Sequence, residues 1–287
     1  MKIRNSTIRS SPHGDSAPFD AVAARYDADF TETELGKRKR QIVRNYLARN
    51  IREHWRVLEL NCGTGEDALW LSERTHSVLA TDISGGMLDV ARRKAESAGK
   101  KNVEFLRMGI EDLWKSSRPD LADETGTFHL VFSDFDGLNC VQDLSPLPDS
   151  LHRILEKGGH AIFIFMSGFC LAETTAHLLK GRLYDASARF RQDVRRNGLQ
   201  VNIGEGVSMN TWFHSTGTLL RYFRGAGFNI VAVRGVGLTT PPTSLRDAYN
   251  RHLKLFRRLH GLEDLLSPLY PLNRMGDHIL LHVQRID

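Results

Sequence analysis

The sequence predicts an α/β fold, a doubly wound and mostly parallel sheet with helices on both faces. Three observations predict it. From residue 56 onward, short runs rich in Val, Leu, Ile and Phe alternate with stretches of helical periodicity. A glycine-containing turn, "NCGTG", joins the first such run directly to a helix. Two irregular segments, at about 167–214 and 236–276, interrupt the alternation only after a strand has ended. Ligands of open α/β sheets bind at that end of the strands, so both segments read as caps inserted into a single domain spanning residues 18–287.

Taken in order, residues 1–17 are polar and rich in Ser, and read as a loose, disordered tail. Residues 18–53 read as helical: Phe19, Val22 and Tyr26 recur at spacings of three and four, and Ile42, Val43, Tyr46 and Leu47 share a later face behind the basic run Lys37–Arg40. Arg56–Leu60 is the first strand and Glu66–Arg74 the helix after the turn. Ser77–Thr81 is the second strand, followed by a helix capped by Ser84 and ended by Gly99. Val103–Met108 and His129–Ser133 are strands three and four, with a short helix near Ile110–Trp114. Leu147, Leu151, Ile154 and Leu155 mark a helix stopped by "KGG", and His160–Met166 is strand five. The first cap reads as helical pieces followed by two short strands around Gly204-Glu205-Gly206. A helix at Thr216–Ala226 and a strand at Asn229–Arg234 come next. The second cap carries one amphipathic helix, with Leu245, Tyr249, Leu253 and Phe256 on one face, and "DHILLHVQR" closes the chain as a strand.

The bulk composition narrows the classes. Lys plus Arg exceed Asp plus Glu by 39 − 34 = 5, a mild excess compatible with an anionic ligand or a nucleic acid and compelling neither. Cys62, Cys140 and Cys170 are far apart and odd in number, which argues against a disulfide framework, predicts no metal site and suits the reducing cytoplasm. No signal peptide or membrane-length apolar run is expected.

The turn after the first strand carries the chemistry. Gly63 and Gly65 permit positive φ and close approach of a ligand, and the helix start behind them offers free N–H groups to an anion. Asp82, just past the second strand, stands where a carboxylate accepts from both hydroxyls of a ribose. "GTGEDA" also fits the GxGxxA dinucleotide fingerprint, so a nicotinamide oxidoreductase is one reading. Glu59, inside the strand, disfavours a pyrophosphate there and suits a ligand bearing an ammonium group.

Together "VLELNCGTG", "TDISGGML", "HLVFSDFDGLN", "LHRILEKGGHAIF" and "AGFNIVAV" resemble the successive motifs of class I S-adenosylmethionine-dependent methyltransferases of the small-molecule type. The resemblance covers roughly residues 19–287 and is least constrained in the caps. It implies a seven-stranded sheet in the order 3-2-1-4-5-7-6 with the last strand antiparallel, and S-adenosylmethionine as cofactor. It also implies that Gly63 and Gly65 approach the methionine part, with Glu59 near its amino group and Tyr26 folded over that end. Asp82 would hold the ribose, Ile83 and Met87 would line the adenine, Ile110 would offer its N–H to the ring, and Ser133 would lie under the sulfonium. Two positions depart from the family: Asn61 stands where Gly is usual, and Gly109 where an Asp often binds the adenine amino group. Asn tolerates positive φ, so Asn61 keeps the turn. Glu111 is a candidate substitute for the missing Asp, or a dipole partner of its helix.

Methyl transfer from a sulfonium is an in-line displacement that depends first on alignment, and needs a base only if the nucleophile must lose a proton. Asp134, Asp136 and Asn139 in the loop after strand four are candidates to orient or deprotonate an acceptor, as is His214, where the first cap rejoins the core. Each has a structural alternative as a turn former or packed side chain. Cys140 reads as a structural thiol, Trp212 and Phe213 as packing or stacking groups, and Arg251, Lys254 and Arg258 as a solvated face or an anion site. The leading expectation is methylation of O or N in a small molecule. Methylation of RNA or protein and a non-catalytic cofactor-binding relative are the alternatives.

Overall fold

A computed structural model gives the structure of the protein and describes residues 17–114 and 127–287. The expected tail lies outside the described residues except for Ala17. A 3₁₀ turn (Pro18–Ala21) and a π turn (Asp27–Thr31) precede α1 (Glu34–Asn50). Residues 18–53 are therefore three pieces rather than continuous helix. Thr33 is extended, and its hydroxyl accepts from the Gly36 amide at 3.0 Å, which starts α1 afresh. Gly36 has no alternative: a Cβ there would lie 2.1 Å from the Phe30 carbonyl oxygen.

β1 (Arg56–Leu60), α2 (Glu66–Ser72), β2 (Ser77–Asp82), α3 (Gly85–Ser97), β3 (Val103–Arg107), a 3₁₀ turn (Ile110–Trp114) and β4 (Phe128–Ser133) follow. After a 3₁₀ turn at Gly137–Cys140 come α4 (Leu147–Ile154) and β5 (Leu155–Met166). The first cap contains α5 (Leu171–Leu179), α6 (Leu183–Ala186), α7 (Gln192–Asn197) and a hairpin of β6 (Leu199–Gly204) with β7 (Val207–Thr211). Then come α8 (Thr216–Gly225) and β8 (Phe228–Val236). The second cap holds α9 (Arg246–Arg251), α10 (Leu253–Leu259) and α11 (Glu263–Leu266) before β9 (His278–Arg285).

The large sheet runs β3-β2-β1-β4-β5-β9-β8, with β9 antiparallel to both neighbours. That is the expected order, the cap hairpin having taken two strand numbers. Alternation along the strands divides the core. Leu58, Leu60, Val131 and Phe163 pack beneath α4 and α8 with Leu151, Leu220 and Phe223. Val57, Leu130, Phe132 and Ile162 pack on the other face with Val43 and Leu47 of α1 and Leu71 of α2. Glu59 shares the parity of Val57, so it faces α1.

Two element boundaries differ from expectation. Leu155 ends no helix: it is extended, buried and paired with Phe128, and "KGG" is a bulged run inside β5 with Gly158 at φ +74°. The second-cap helix is broken at His252 (φ −115°, ψ 28°), although Tyr249 is buried and its ring still meets that of Phe256 at 5.1 Å. Among the described residues, no helix is long and apolar enough to cross a membrane.

Candidate active site

The turn after β1 is built on three positive φ angles: Asn61 at 49°, Gly63 at 54° and Gly65 at 75°. Asn61 does more than tolerate its conformation. Its amide nitrogen donates to the Asp134 carbonyl at 2.9 Å, and its amide oxygen accepts from the Ser133 hydroxyl at 2.7 Å. The turn is thereby tied to the loop after β4. Gly137 makes room for this side chain, since a Cβ there would lie 2.0 Å from the Asn61 Cγ. The two glycines serve different ends. Nothing lies within 4 Å of the place a Gly63 Cβ would occupy, whereas one on Gly65 would be 2.8 Å from the Ala91 Cβ. Gly63 leaves its surface open to a ligand, and Gly65 lets α2 pack on α3.

Four ionisable side chains surround the turn. Asp82 accepts from the Gly63 amide at 2.8 Å and the Ser84 amide at 2.9 Å, and burial raises its pKa against those bonds. Glu59 is 2% exposed, and its Oε2 is buried with no hydrogen-bond partner among the described residues. Burial pushes its carboxyl up to about 8; Asp134 and Asp82 act in the same direction, while Arg40 and Arg44 oppose. Asp134 accepts from the Phe135 amide through Oδ1 and leaves Oδ2 buried and unpartnered; burial raises it to about 6, with Arg40 opposing. Arg40 pairs with Asp67, which Arg44 also holds at 2.8 Å, and lies 5.2 Å from the Phe135 ring centroid. Its Nε is buried without an acceptor among the described residues. A cavity of about 30 Å³ among Tyr26, Arg40, Glu59, Asn61, Gly63 and Asp134 has room for little more than a water.

The segment before α1 covers this cavity. Asp20 accepts from the Ser84 hydroxyl at 2.6 Å and the Gly86 amide at 2.9 Å, fixing the segment to the start of α3. Asp27 accepts from the Thr64 hydroxyl at 2.6 Å and from Lys94 at 3.0 Å. Between these anchors, Val22 and Ala23 pack on Met87, with Tyr26 and Ile203 against them. Arg25 reaches Glu205 of the hairpin at 2.7 Å. Tyr26 lies between Phe19 and Phe30, and burial raises its phenol pKa.

Comparison with known proteins bears on the fold and on the segment that carries the turn. A family model described as a methyltransferase domain matches residues 57–159, which include the glycine turn, Asp82 and the loop after β4. A solved S-adenosylmethionine-dependent methyltransferase from Clostridium acetobutylicum ATCC 824 superposes with a TM-score of 0.55 at 15% identity, covering 94% of this chain and 99% of that one. The chain has the fold of class I S-adenosylmethionine-dependent methyltransferases, and residues 57–159 match a methyltransferase domain. Among curated relatives, the tRNA 5-carboxymethoxyuridine methyltransferase of Escherichia coli (strain K12) is 28% identical over 152 residues, 51% of this chain and 55% of that protein. The demethylmenaquinone methyltransferase of Clavibacter sepedonicus is 31% identical over 160 residues, 56% and 61% respectively. The chain thus spans between half and two thirds of the length of these relatives.

Within this fold, the structure brings Tyr26, Glu59, Asn61, Gly63 and Asp134 around one cavity, with Ser133 bonded to Asn61. Asp82 closes the turn from the side of β2. Ile83 approaches Gly109, where a Cβ would lie 3.5 Å from its Cδ1, and Met87 is buried beneath the cover. Ile110 is buried and Glu111 exposed. The space beside Gly109 already holds a carboxylate: Asp112 accepts the Gly109 amide at 2.9 Å.

Two catalytic candidates are occupied otherwise. Asn139 accepts from the Met166 amide at 2.8 Å and donates to the Trp212 carbonyl at 2.7 Å, which makes it a clip between β5 and the first cap. His214 donates through Nε2 to the Leu138 and Val141 carbonyls, and burial lowers its pKa, so it packs as a neutral ring. Asp136 pairs with His278 at 2.9 Å, and His278 in turn contacts Asp277, which also holds Lys39 and Arg189. Arg251, Lys254 and Arg258 are all exposed.

Sequence reasoning missed Arg40, Asp20 and Asp27. For α1 a signal existed: Leu35, Lys39, Ile42, Val43 and Leu47 lie on one helical stripe, which placed the end of the basic run toward the core.

Proposed function

We propose that this chain transfers the methyl group of S-adenosylmethionine to an oxygen or nitrogen of a small molecule. The observation that carries the cofactor assignment is a matched pair of orphan atoms. Among the described residues, Glu59 Oε2 is a buried acceptor without a donor and Arg40 Nε a buried donor without an acceptor, and both residues line one cavity. Unpaired buried polar groups are costly, and an amino-acid zwitterion supplies what both lack, an ammonium and a carboxylate. Gly63 leaves the approach bare, and Asp82 keeps lone pairs for a ribose diol. Bound there, the cofactor supplies an activated methyl. The chain's own residues hold its two ends, and the Asn61 bridge holds the loop bearing Asp134 beside them.

Asp134, with one free buried oxygen and a carboxyl raised to about 6, is the group best placed to orient an acceptor's hydroxyl or amine. The caps favour a small acceptor, because both are inserted at the carboxyl ends of strands of the sheet. The mild basic excess and the tRNA-modifying relative support RNA as the second reading. Three unpaired cysteines suit the cytoplasm.

Calorimetric titration with S-adenosylhomocysteine tests the assignment. Saturable one-site binding, lost in Asp82→Ala, is expected; absence of binding by the intact protein refutes it.

A further inference from the structure

A second cavity lies beyond the end of β5. It measures about 210 Å³ and is lined by Gly168, Phe169, Phe213, the Ser215–Gly217 start of α8, and three arginines, Arg189, Arg195 and Arg274. The arginines are not equivalent. Arg189 is buried and spent on structure: it holds Glu173 at 2.6 Å and Asp277 at 2.7 Å, and donates to the Ser167 and Asp277 carbonyls. Arg195 and Arg274 are exposed, and neither has a carboxylate at ion-pair distance among the described residues. Two arginines without an ion pair among the described residues therefore line one cavity, Arg274 with its guanidinium 5.4 Å from the Tyr270 ring centroid.

The cavity floor adds donors of a second kind. α8 begins without a side-chain cap, and the Thr216 and Gly217 amides have no acceptor among the described residues. Phe169 and Phe213 form an apolar wall, with the Arg189 guanidinium 5.3 Å from the Phe213 ring centroid. Planar forks, free amides and a small volume with an aromatic side describe a receptor for a carboxylate or phosphate attached to a carbon skeleton.

The cavity is also joined to the loop at the proposed methyl-transfer site. Asn139 of that loop bonds Met166 on one wall's strand and Trp212 next to Phe213 on the other. Arg189 bonds Asp277, whose neighbour His278 bonds Asp136. On the methyltransferase reading above, we propose that this cavity binds an anionic group of the methyl acceptor, a carboxylate or a phosphate. The rest of the acceptor then extends toward Asp134. An acceptor without such a group gains nothing from Arg195 and Arg274.

The test uses the whole protein, saturated with S-adenosylhomocysteine and titrated separately with inorganic phosphate and with acetate. The Thr216 and Gly217 amide resonances are followed by NMR. Saturable shifts of both amides are expected with at least one anion, and the preferred anion identifies the acceptor's group. In Arg195→Ala/Arg274→Ala, whose side chains are exposed and make no ion pair among the described residues, the dissociation constant should rise at least about tenfold, because hydrogen bonds to charged groups contribute about 1.5–3 kcal/mol each. The affinity for S-adenosylhomocysteine should stay within about twofold, since neither arginine lines the cavity at the glycine turn. Amides that respond to neither anion, or that respond equally in the double variant, overturn the proposal. Failure of S-adenosylhomocysteine to bind refutes the cofactor assignment instead, and the anion titrations in its absence still decide this cavity.

Discussion

Replacing Glu59 by Gln isolates the electrostatic core of the site. The carboxyl has an ordinary pKa of 4.5 and is raised to about 8 by burial. The folded state therefore binds a proton more tightly than the unfolded chain. Glu59 is stability-neutral below pH 4.5 and increasingly unfavourable from there up to pH 8. Each pH unit between 4.5 and 7 costs about 1.36 kcal/mol, so at pH 7 the penalty is roughly 3 kcal/mol. Glu59→Gln keeps the shape and removes the titration. The variant is expected to be more stable than the parent at pH 7 and equal to it below pH 4.5, as read by urea unfolding at both pH values. Binding should respond in the opposite sense. An ammonium beside Glu59 requires the carboxylate, so at pH 7 a proton must leave first, at about 1.4 kcal/mol. The affinity of the parent for S-adenosylhomocysteine should then rise about tenfold from pH 6.5 to 7.5, with release of close to one proton. Calorimetry in two buffers of different ionisation enthalpy measures that proton directly. The variant should bind more weakly by about 1.5–3 kcal/mol at pH 8, with no proton release. A parent whose affinity is flat with pH, or a variant that binds equally well, refutes the reasoning.

Gly65→Ala should destabilise the protein by about 2–5 kcal/mol, the sum of a left-handed alanine and a clash with Ala91, and a chemical unfolding midpoint unchanged from the parent would contradict it. His278 is raised from 6.5 to about 9 by the carboxylates of Asp277 and Asp136, which outweigh its burial. Its contribution is therefore complete below pH 6.5 and lost as pH rises through 9. His278→Phe should flatten the fall in thermal stability across that window, and an unaltered pH profile would count against it. The cover at 18–31 leaves only about 30 Å³ above the turn, so it must lift to admit the cofactor. Limited proteolysis within 18–31 should slow when S-adenosylhomocysteine is bound, and an unchanged cleavage rate would exclude that movement.

The strands and the glycine turn were legible because their signals are local. Alternating apolar runs, Gly63 beside the helix start, and Asp82 after the second strand can all be read within a few residues. What escaped depends on distance along the chain. Asp20 caps α3 from outside its own sequence neighbourhood, and Arg40 meets Glu59 only once α1 lies across the sheet. Leu155 satisfies helical spacing from Leu151, but pairing with Phe128 extends it into a bulged strand. Asn139 and His214 sit in promising places by sequence. The Asn139 amide and the His214 Nε2 are taken up by backbone groups from other segments, a use that no spacing rule reveals.

A crystal structure with S-adenosylhomocysteine tests the central claim most directly. The account predicts its ammonium within hydrogen-bond distance of Glu59, its carboxylate at Arg40 and its ribose hydroxyls on Asp82. A ligand lodged away from the turn between β1 and α2, or one whose ammonium points away from Glu59, would contradict it.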